Sequence, residues 1–180
     1  MKVALAVLFL SVSAVAQATA GVADACGPKD VLFDVRQDSS QHALVQPEAG
    51  KALVYIVSQS GLACGVGGWC VMRAGLDGTW VGAFLTRVPF REDDRYNSFL
   101  YVSVEPGEHH VCVNARSGQG DMIARSHFTA EPGKVYYLGI QGVYSLYSRF
   151  LNVGPLDSDE AKYLIATSPL SVAQLKPPKK

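Results

Sequence analysis

The chain has 180 residues, of which 48% are hydrophobic and 18% are charged, and its formal net charge at pH 7 is zero. This composition is typical of a globular protein of one or two domains, and it excludes a disordered, collagen-like or coiled-coil chain. The balanced charge excludes nucleic-acid binding driven by a strong overall positive charge, so we expect no nucleic-acid partner.

The first twenty residues have the pattern of a secretory signal peptide. Lys2 precedes an apolar stretch over about residues 3–16, and residues 18–20 (ATA) supply the small side chains of a cleavage site. A membrane-spanning helix needs roughly 20 apolar residues, whereas serines interrupt this shorter stretch. We therefore expect cleavage after Ala20 and a periplasmic or secreted product with no stable membrane insertion.

Cys26 raises the alternative of an outer-membrane lipoprotein, whose mature chain would begin with an acylated cysteine. Asp24 lies among the preceding residues, where such a cleavage site normally carries small uncharged side chains. We therefore disfavour lipidation at Cys26.

Short runs rich in Val, Tyr, Ile and Phe follow, and turn residues separate them. This pattern is typical of an antiparallel β-sandwich, and we expect an immunoglobulin-like or carboxypeptidase-regulatory-like arrangement. The run 51–58 is apolar on both faces, which predicts a central strand. In chain order, strands are predicted at 31–35, 51–58, 69–74, 79–85, 98–104, 109–115, 122–129 and 135–140.

Three turn signals connect these runs. Asp77-Gly78 predicts a β-hairpin between strands 69–74 and 79–85, because both residues tolerate positive φ. Glu-Pro-Gly occurs twice, at 105–107 and 131–133, and the proline followed by glycine favours a type II turn. We expect both copies to close paired hairpins.

A single amphipathic helix is predicted at residues 158–166. Asp157 can cap it, and Glu160 stands at the third helical position of a capping-box-like arrangement. One helical face then carries Ala161, Leu164 and Ile165. The chain is accordingly divided into a signal peptide (1–20), an N-terminal extension (21–50), a β-sandwich domain (51–168) and a polar tail (169–180).

Five ordered segments carry a resemblance to a known family. They are CGPKDVLFDV (26–35), PEAGKALVYIV (47–57), GLDGTWVGAF (75–84), VEPGEHHVCVNAR (104–116) and HFTAEPGKVYYL (127–138). Together they resemble domain of unknown function 2846, a family of secreted and envelope proteins of Gram-negative bacteria, over about residues 51–166. The resemblance implies a small β-sandwich of carbohydrate-binding or peptidase-accessory type, and it supplies no catalytic residues. The loop CGVGGWC (64–70) departs from that family.

The four cysteines form an even set in a chain that we expect to be exported, which predicts disulfides rather than free thiols. Three pairings are possible for Cys26, Cys64, Cys70 and Cys112. We favour Cys64 with Cys70, across a glycine-rich loop, and Cys26 with Cys112. A redox centre is disfavoured, because such centres typically place two residues between the cysteines at a helix N-terminus.

The histidines are the candidates for metal binding or catalysis. His109 and His110 are adjacent, so in a strand they point to opposite faces and do not readily chelate one metal. His127 lies on the next predicted strand, but no metal-ligand spacing and no G-x-S-x-G motif accompanies it. We therefore expect no metal, no cofactor and no catalytic residue. A hydrolase that uses these three histidines is the least favoured alternative.

Most aromatic side chains are expected in the core, and Tyr136 and Tyr137 should face opposite sides of their strand. A subset forms the candidate binding surface: Trp69, Trp80, Tyr96 and Tyr137. The leading hypothesis is a non-enzymatic module that binds a protein or glycan partner in the cell envelope. A purely structural envelope domain is the alternative.

Overall fold

The computed structural model describes residues 26–40, 42–59, 69–87, 97–117, 120–144 and 149–177. The runs of β-branched and aromatic residues form strands, because such side chains pack well on a pleated surface. In chain order the elements are β1 (Phe33–Asp38), β2 (Ala52–Gln59), β3 (Trp69–Leu76), β4 (Thr79–Arg87), β5 (Ser98–Val104), β6 (Gly107–Ser117), β7 (Gly120–Ala130), β8 (Val135–Tyr144), β9 (Arg149–Pro155), α1 (Ser158–Thr167) and β10 (Leu170–Leu175).

The strands form two sheets that pack against each other. Their order is β1-β10-β5-β2-β8-β9 in the six-stranded sheet and β4-β3-β6-β7 in the four-stranded sheet. Fully buried apolar side chains fill the space between the sheets, among them Val54, Ile56, Phe84, Val111 and Val113. The predicted β-sandwich with a helix near its C-terminal end is confirmed.

The centre of the six-stranded sheet combines both types of pairing. β2 pairs antiparallel with β5 and parallel with β8, the latter from Leu53 opposite Val135 to Gln59 opposite Gln141. A strand that is covered on both faces has a continuous apolar sequence rather than an alternating one. Seven of the eight residues of β2 are buried, which confirms the central strand predicted at 51–58.

The β3–β4 hairpin is also confirmed. Its two turn residues both have positive φ, 49° at Asp77 and 81° at Gly78. Two such residues in succession define a type I′ turn, whose twist matches that of the flanking strands.

The two Glu-Pro-Gly turns have a different role from the one predicted. β5 and β6 lie in different sheets, and so do β7 and β8, so each turn carries the chain from one sheet to the other. Gly107 and Gly133 have the positive φ that the sequence suggested. The prediction of paired hairpins is wrong, because a turn sequence reverses the chain without deciding which strand each arm will pair with. β5 pairs with β2, whereas β6 pairs with β3 and β7.

The predicted polar tail is wrong for Leu170–Leu175, which forms β10. This strand pairs with β1 along its whole length and meets β5 at Leu170 opposite Phe99. Ser171 is buried, and its hydroxyl donates a hydrogen bond to Ala83 O at 2.7 Å. The predicted N-terminal extension likewise contributes β1 to the sheet, so the sandwich extends beyond residues 51–168. The strand predicted at 31–35 overlaps β1, whereas the half-polar sequence of β10 gave no strand signal of its own and acquires this structure beside β1.

Helix α1 begins and ends within one residue of the prediction. Asp157 caps it, and one carboxylate oxygen accepts hydrogen bonds from the backbone N–H groups of Asp159 and Glu160 at 2.9 and 3.1 Å. The Glu160 carboxylate instead accepts from Gln59 Nε2 at 2.8 Å, which ties the helix to β2. The buried face consists of the three predicted residues, Ala161, Leu164 and Ile165. In the described residues, no helix combines the length and apolar character required to span a membrane.

Candidate functional site

The outer face of the four-stranded sheet carries Trp80 because of an irregularity between β3 and β4. Ala74 lies opposite Gly82, but the next residue, Gly75, lies opposite Trp80. Val81 is thus the extra residue of a bulge, which reverses the side-chain alternation of β4. With regular pairing Trp80 would share the inward face of Phe84, whereas the bulge turns it outward.

Two cross-strand rows then define this outer face. The first row runs from Trp80 on β4 through Gly75 on β3 and Cys112 on β6 to Arg125 on β7. The second row has Arg73 on β3, Asn114 on β6 and Ile123 on β7. Gly75 leaves the space between Trp80 and Cys112 without a side chain. A further segment of backbone can therefore lie there.

Residues 26–31, which we call the N-terminal strap, occupy that space. A disulfide joins Cys26 to Cys112, with 5.0 Å between their Cα atoms, as predicted. Of the other predicted pair, Cys70 lies on β3, whereas Cys64 lies outside the described residues. The disulfide fixes one end of the N-terminal strap to the middle of the sheet.

Trp80 holds the next part of the N-terminal strap. Its indole N–H donates a hydrogen bond to Pro28 O at 2.8 Å. Gly27 lies so close to the indole that a Cβ atom there would be 2.5 to 2.7 Å from Cδ1, Nε1 and Cγ of the ring. These three similar distances place Gly27 over the face of the five-membered ring. Only glycine permits this approach.

Arg73 holds the far end of the N-terminal strap. Its Nη1 donates hydrogen bonds to Lys29 O at 3.0 Å and to Val31 O at 2.9 Å. Nε donates to Asn114 Oδ1 at 3.1 Å, and Nη2 donates to the same oxygen. The guanidinium carbon lies 4.5 Å from the centre of the Trp80 ring. Arg73 is 6% exposed, so these contacts keep a buried charge hydrogen-bonded.

A cleft of about 410 Å³ opens between the N-terminal strap and the outer face of β7. This volume is within the range of small-ligand sites. Its lining comprises Cys26, Gly27, Pro28, Lys29, Arg73, Gly78, Trp80, Asn114, Asp121, Ile123 and Arg125. Three of these side chains are cationic and one is anionic.

The β7 wall of the cleft is open to solvent. Ile123 is 44% exposed, and the side chains of Arg125 and Lys29 are exposed as well. Within the described part of the chain, neither of these two cationic side chains forms a hydrogen bond or an ion pair. The cleft therefore presents an apolar side chain beside positive charge that is available to a ligand.

The structure separates the residues of the predicted binding surface. Trp80 lines the cleft on the four-stranded sheet, whereas Tyr137 lies on the outer face of the six-stranded sheet. The side chain of Trp69 and the whole of Tyr96 lie outside the described residues. Sequence reasoning missed Arg73, Asn114, Ile123 and Arg125, because only the strand register brings them together.

The outer face of the six-stranded sheet has a row of tyrosines on three neighbouring strands. Tyr55 on β2 lies opposite Tyr101 on β5 and Tyr137 on β8, with ring centres 5.7 Å apart in both pairs. Burial raises the pKa of the Tyr55 hydroxyl, which accepts a hydrogen bond from Val45 N. Tyr136 packs on the opposite side, against the core between the sheets, as predicted. The row is mainly a packing element.

The three histidines do not converge. His109 and His110 face opposite sides of β6, as predicted: the His109 ring packs against Phe128, and the His110 ring lies 6.2 Å from that of His127. The cleft lining contains none of them. Among the described residues, no group of three or more His, Cys, Asp or Glu side chains could hold a metal ion.

In comparisons with known proteins, no family model, no curated protein and no solved structure matched this chain. The resemblance to domain of unknown function 2846 therefore stays a prediction.

Proposed function

We propose that this chain is an exported, non-enzymatic module of the cell envelope that binds a protein or glycan partner. The observation that carries this proposal is the cleft between the N-terminal strap and β7. In this cleft the side chains of Ile123 and Arg125 on β7 and of Lys29 on the N-terminal strap are open to solvent, and the fixed N-terminal strap forms a rigid wall. Rigid walls lower the entropic cost of binding, because little has to become ordered when a partner arrives.

The way in which the wall is built favours binding over a purely structural role. A disulfide, the indole of Trp80 and the buried guanidinium of Arg73 all fix one short segment. A terminal segment normally frays unless it is tied down, and this one is tied down at three places. The result is a defined wall opposite an exposed isoleucine, an arrangement that a simple spacer domain does not need.

Export is supported by the chemistry of the wall. Disulfides persist in the periplasm and outside the cell and are rare in the cytosol. The Cys26–Cys112 bond therefore fits the signal peptide expected at residues 1–20. It also engages the Cys26 thiol that a lipid anchor would require.

Partner capture with two matched variants tests the proposal. The mature protein, Ile123→Arg and Tyr163→Arg are used as crosslinking baits in the organism's own envelope fraction. Both replaced side chains are exposed apolar residues, but Tyr163 lies on α1, away from the cleft. We expect wild type and Tyr163→Arg to capture the same partner and Ile123→Arg to lose it. Equal capture by all three baits, or no specific capture by the wild type, would contradict the proposal.

A further inference from the structure

The charged side chains of the cleft favour a ligand of negative charge. Lys29, Arg73 and Arg125 line it, against the single carboxylate of Asp121. Arg125 is directly opposite Cys112, so its side chain emerges beside the disulfide that anchors the N-terminal strap. An exposed guanidinium next to a fixed wall is a good partner for a carboxylate, because the planar fork can donate two parallel hydrogen bonds.

The distance between two cleft side chains on β7 favours an extended peptide as the ligand. Ile123 and Arg125 are two residues apart on one face of a strand, a separation of about 6.7 Å. Side chains on one side of an extended peptide have the same repeat. A peptide that lies along β7 can therefore place an apolar side chain on Ile123 and a carboxylate on Arg125 at the same time.

The contacts that Trp80 already makes argue against a sugar as the ligand of the cleft. A sugar ring that stacks on an aromatic side chain needs an open face of that ring and often a free polar edge. Gly27 covers the five-membered ring of Trp80, the Arg73 guanidinium lies over the indole, and the N–H is bonded to Pro28 O. The indole thus serves the N-terminal strap rather than a glycan.

We infer that the cleft binds an extended peptide segment in which an acidic residue lies two positions from an apolar one. The carboxylate contacts Arg125, and the apolar side chain packs on Ile123 against the N-terminal strap. This inference rests on the proposed function, and it narrows the partner from a protein or glycan to a protein with such a segment.

Peptide titrations test the inference directly. The probes are short capped peptides that contain Leu-Gly-Glu, Leu-Gly-Gln or Leu-Gly-Lys. Binding is measured from the amide chemical shifts of the intact mature protein. We expect Leu-Gly-Glu to shift the resonances of Ile123 and Arg125 and to bind about tenfold more tightly than Leu-Gly-Gln, the ratio that one charge-assisted contact gives. Arg125→Gln should remove this preference, whereas Arg36→Gln, at an exposed position on β1, should retain it.

Three results would overturn the inference. They are equal binding of the Glu and Gln peptides, an unchanged preference in Arg125→Gln, and binding of oligogalacturonate but not of the acidic peptide at the same resonances. Partner capture separates this failure from failure of the proposed function. If Ile123→Arg loses the envelope partner while Arg125→Gln and an excess of Leu-Gly-Glu peptide leave capture unchanged, the binding module stands and the acidic-peptide inference fails.

Discussion

The carboxylate of Asp77 and the ring of His109 join the β3–β4 turn to β6, with Oδ2 of Asp77 2.6 Å from Nδ1 of His109. The other carboxylate oxygen accepts a hydrogen bond from the backbone N–H of His110 at 2.8 Å. Nε2 of His109 lies 2.7 Å from Glu105 O, in the first Glu-Pro-Gly turn. One side chain thereby fixes a hairpin turn to the strand that carries Cys112, the anchor of the N-terminal strap.

Replacement of Asp77 should separate these contributions. Asp77→Ala removes both carboxylate contacts and leaves at φ 49° a residue that tolerates this conformation less well than Asp, so we expect the free energy of unfolding to fall by about 2–3 kcal/mol. Asp77→Asn keeps a side-chain oxygen for the His110 N–H and tolerates positive φ, so its loss should be less than half as large. Urea unfolding measures both. Equal losses would show that the carboxylate contacts do not stabilise the turn.

Loss of the disulfide should destabilise the whole domain. Cys26 and Cys112 are 86 residues apart, and closure of a loop of that length is worth on the order of 4 kcal/mol as an upper value. We expect Cys26→Ser to lower the urea midpoint clearly. Cys26→Ser combined with Cys112→Ser should be strongly non-additive, because the two substitutions break one bond. Additive effects would contradict the pairing.

Replacement of Gly27 tests how closely the N-terminal strap packs on Trp80. Gly27→Ala would place a methyl group 2.5 Å from Cδ1 of the indole, so the N-terminal strap must move away from the ring. We expect a loss of about 1–3 kcal/mol in the free energy of unfolding and a changed resonance for the indole N–H of Trp80.

A second glycine provides the matched control for that substitution. At Gly154 on β9 a Cβ would meet nothing within 4 Å. Gly154→Ala should therefore change the free energy of unfolding by less than about 0.5 kcal/mol and leave the indole resonance in place. Similar behaviour of the two variants would contradict the close packing of the N-terminal strap.

The cap of α1 gives a pH dependence of known sign. Backbone N–H groups of Glu160 and Asp159 donate to the Asp157 carboxylate and hold its pKa below the ordinary aspartate value of 3.8. A group whose pKa is lower in the folded state stabilises the protein above its unfolded pKa and loses that contribution as the pH falls through the folded pKa. Wild type should therefore lose stability relative to Asp157→Asn between pH 7 and about pH 2.5, measured by thermal unfolding. A constant difference would contradict the charged cap.

The central part of the fold could be predicted from the sequence because its signals are local. The apolar run of β2, the Asp-Gly turn and the Asp157 cap each depend on a few neighbouring residues, and all were found. β10 could not be predicted as a strand, since its half-polar sequence acquires that structure only beside β1.

The candidate site could be predicted only in part, because most of it depends on contacts between residues far apart in the sequence. Two features that hold the N-terminal strap were present in the sequence, an even set of cysteines and a tryptophan just after the hairpin turn. The side of the sheet to which Trp80 points depends on the bulge at Val81, and no local sequence pattern predicts that bulge. Arg73, Asn114 and Arg125 come together only through the register of β3, β6 and β7. The sequence therefore predicts that a disulfide anchors the segment at Cys26, but it does not predict the cleft beside that segment.

Site-specific photocrosslinking in living cells tests the central claim most directly. A photoreactive phenylalanine analogue replaces Ile123 in the cleft or, as the matched control, Tyr163 on α1, both exposed apolar positions. A binding cleft predicts one discrete crosslinked partner at position 123 and none at position 163. A crosslink at position 163 alone, or none at either position under conditions in which a partner is captured by other means, would contradict the cleft as the binding site.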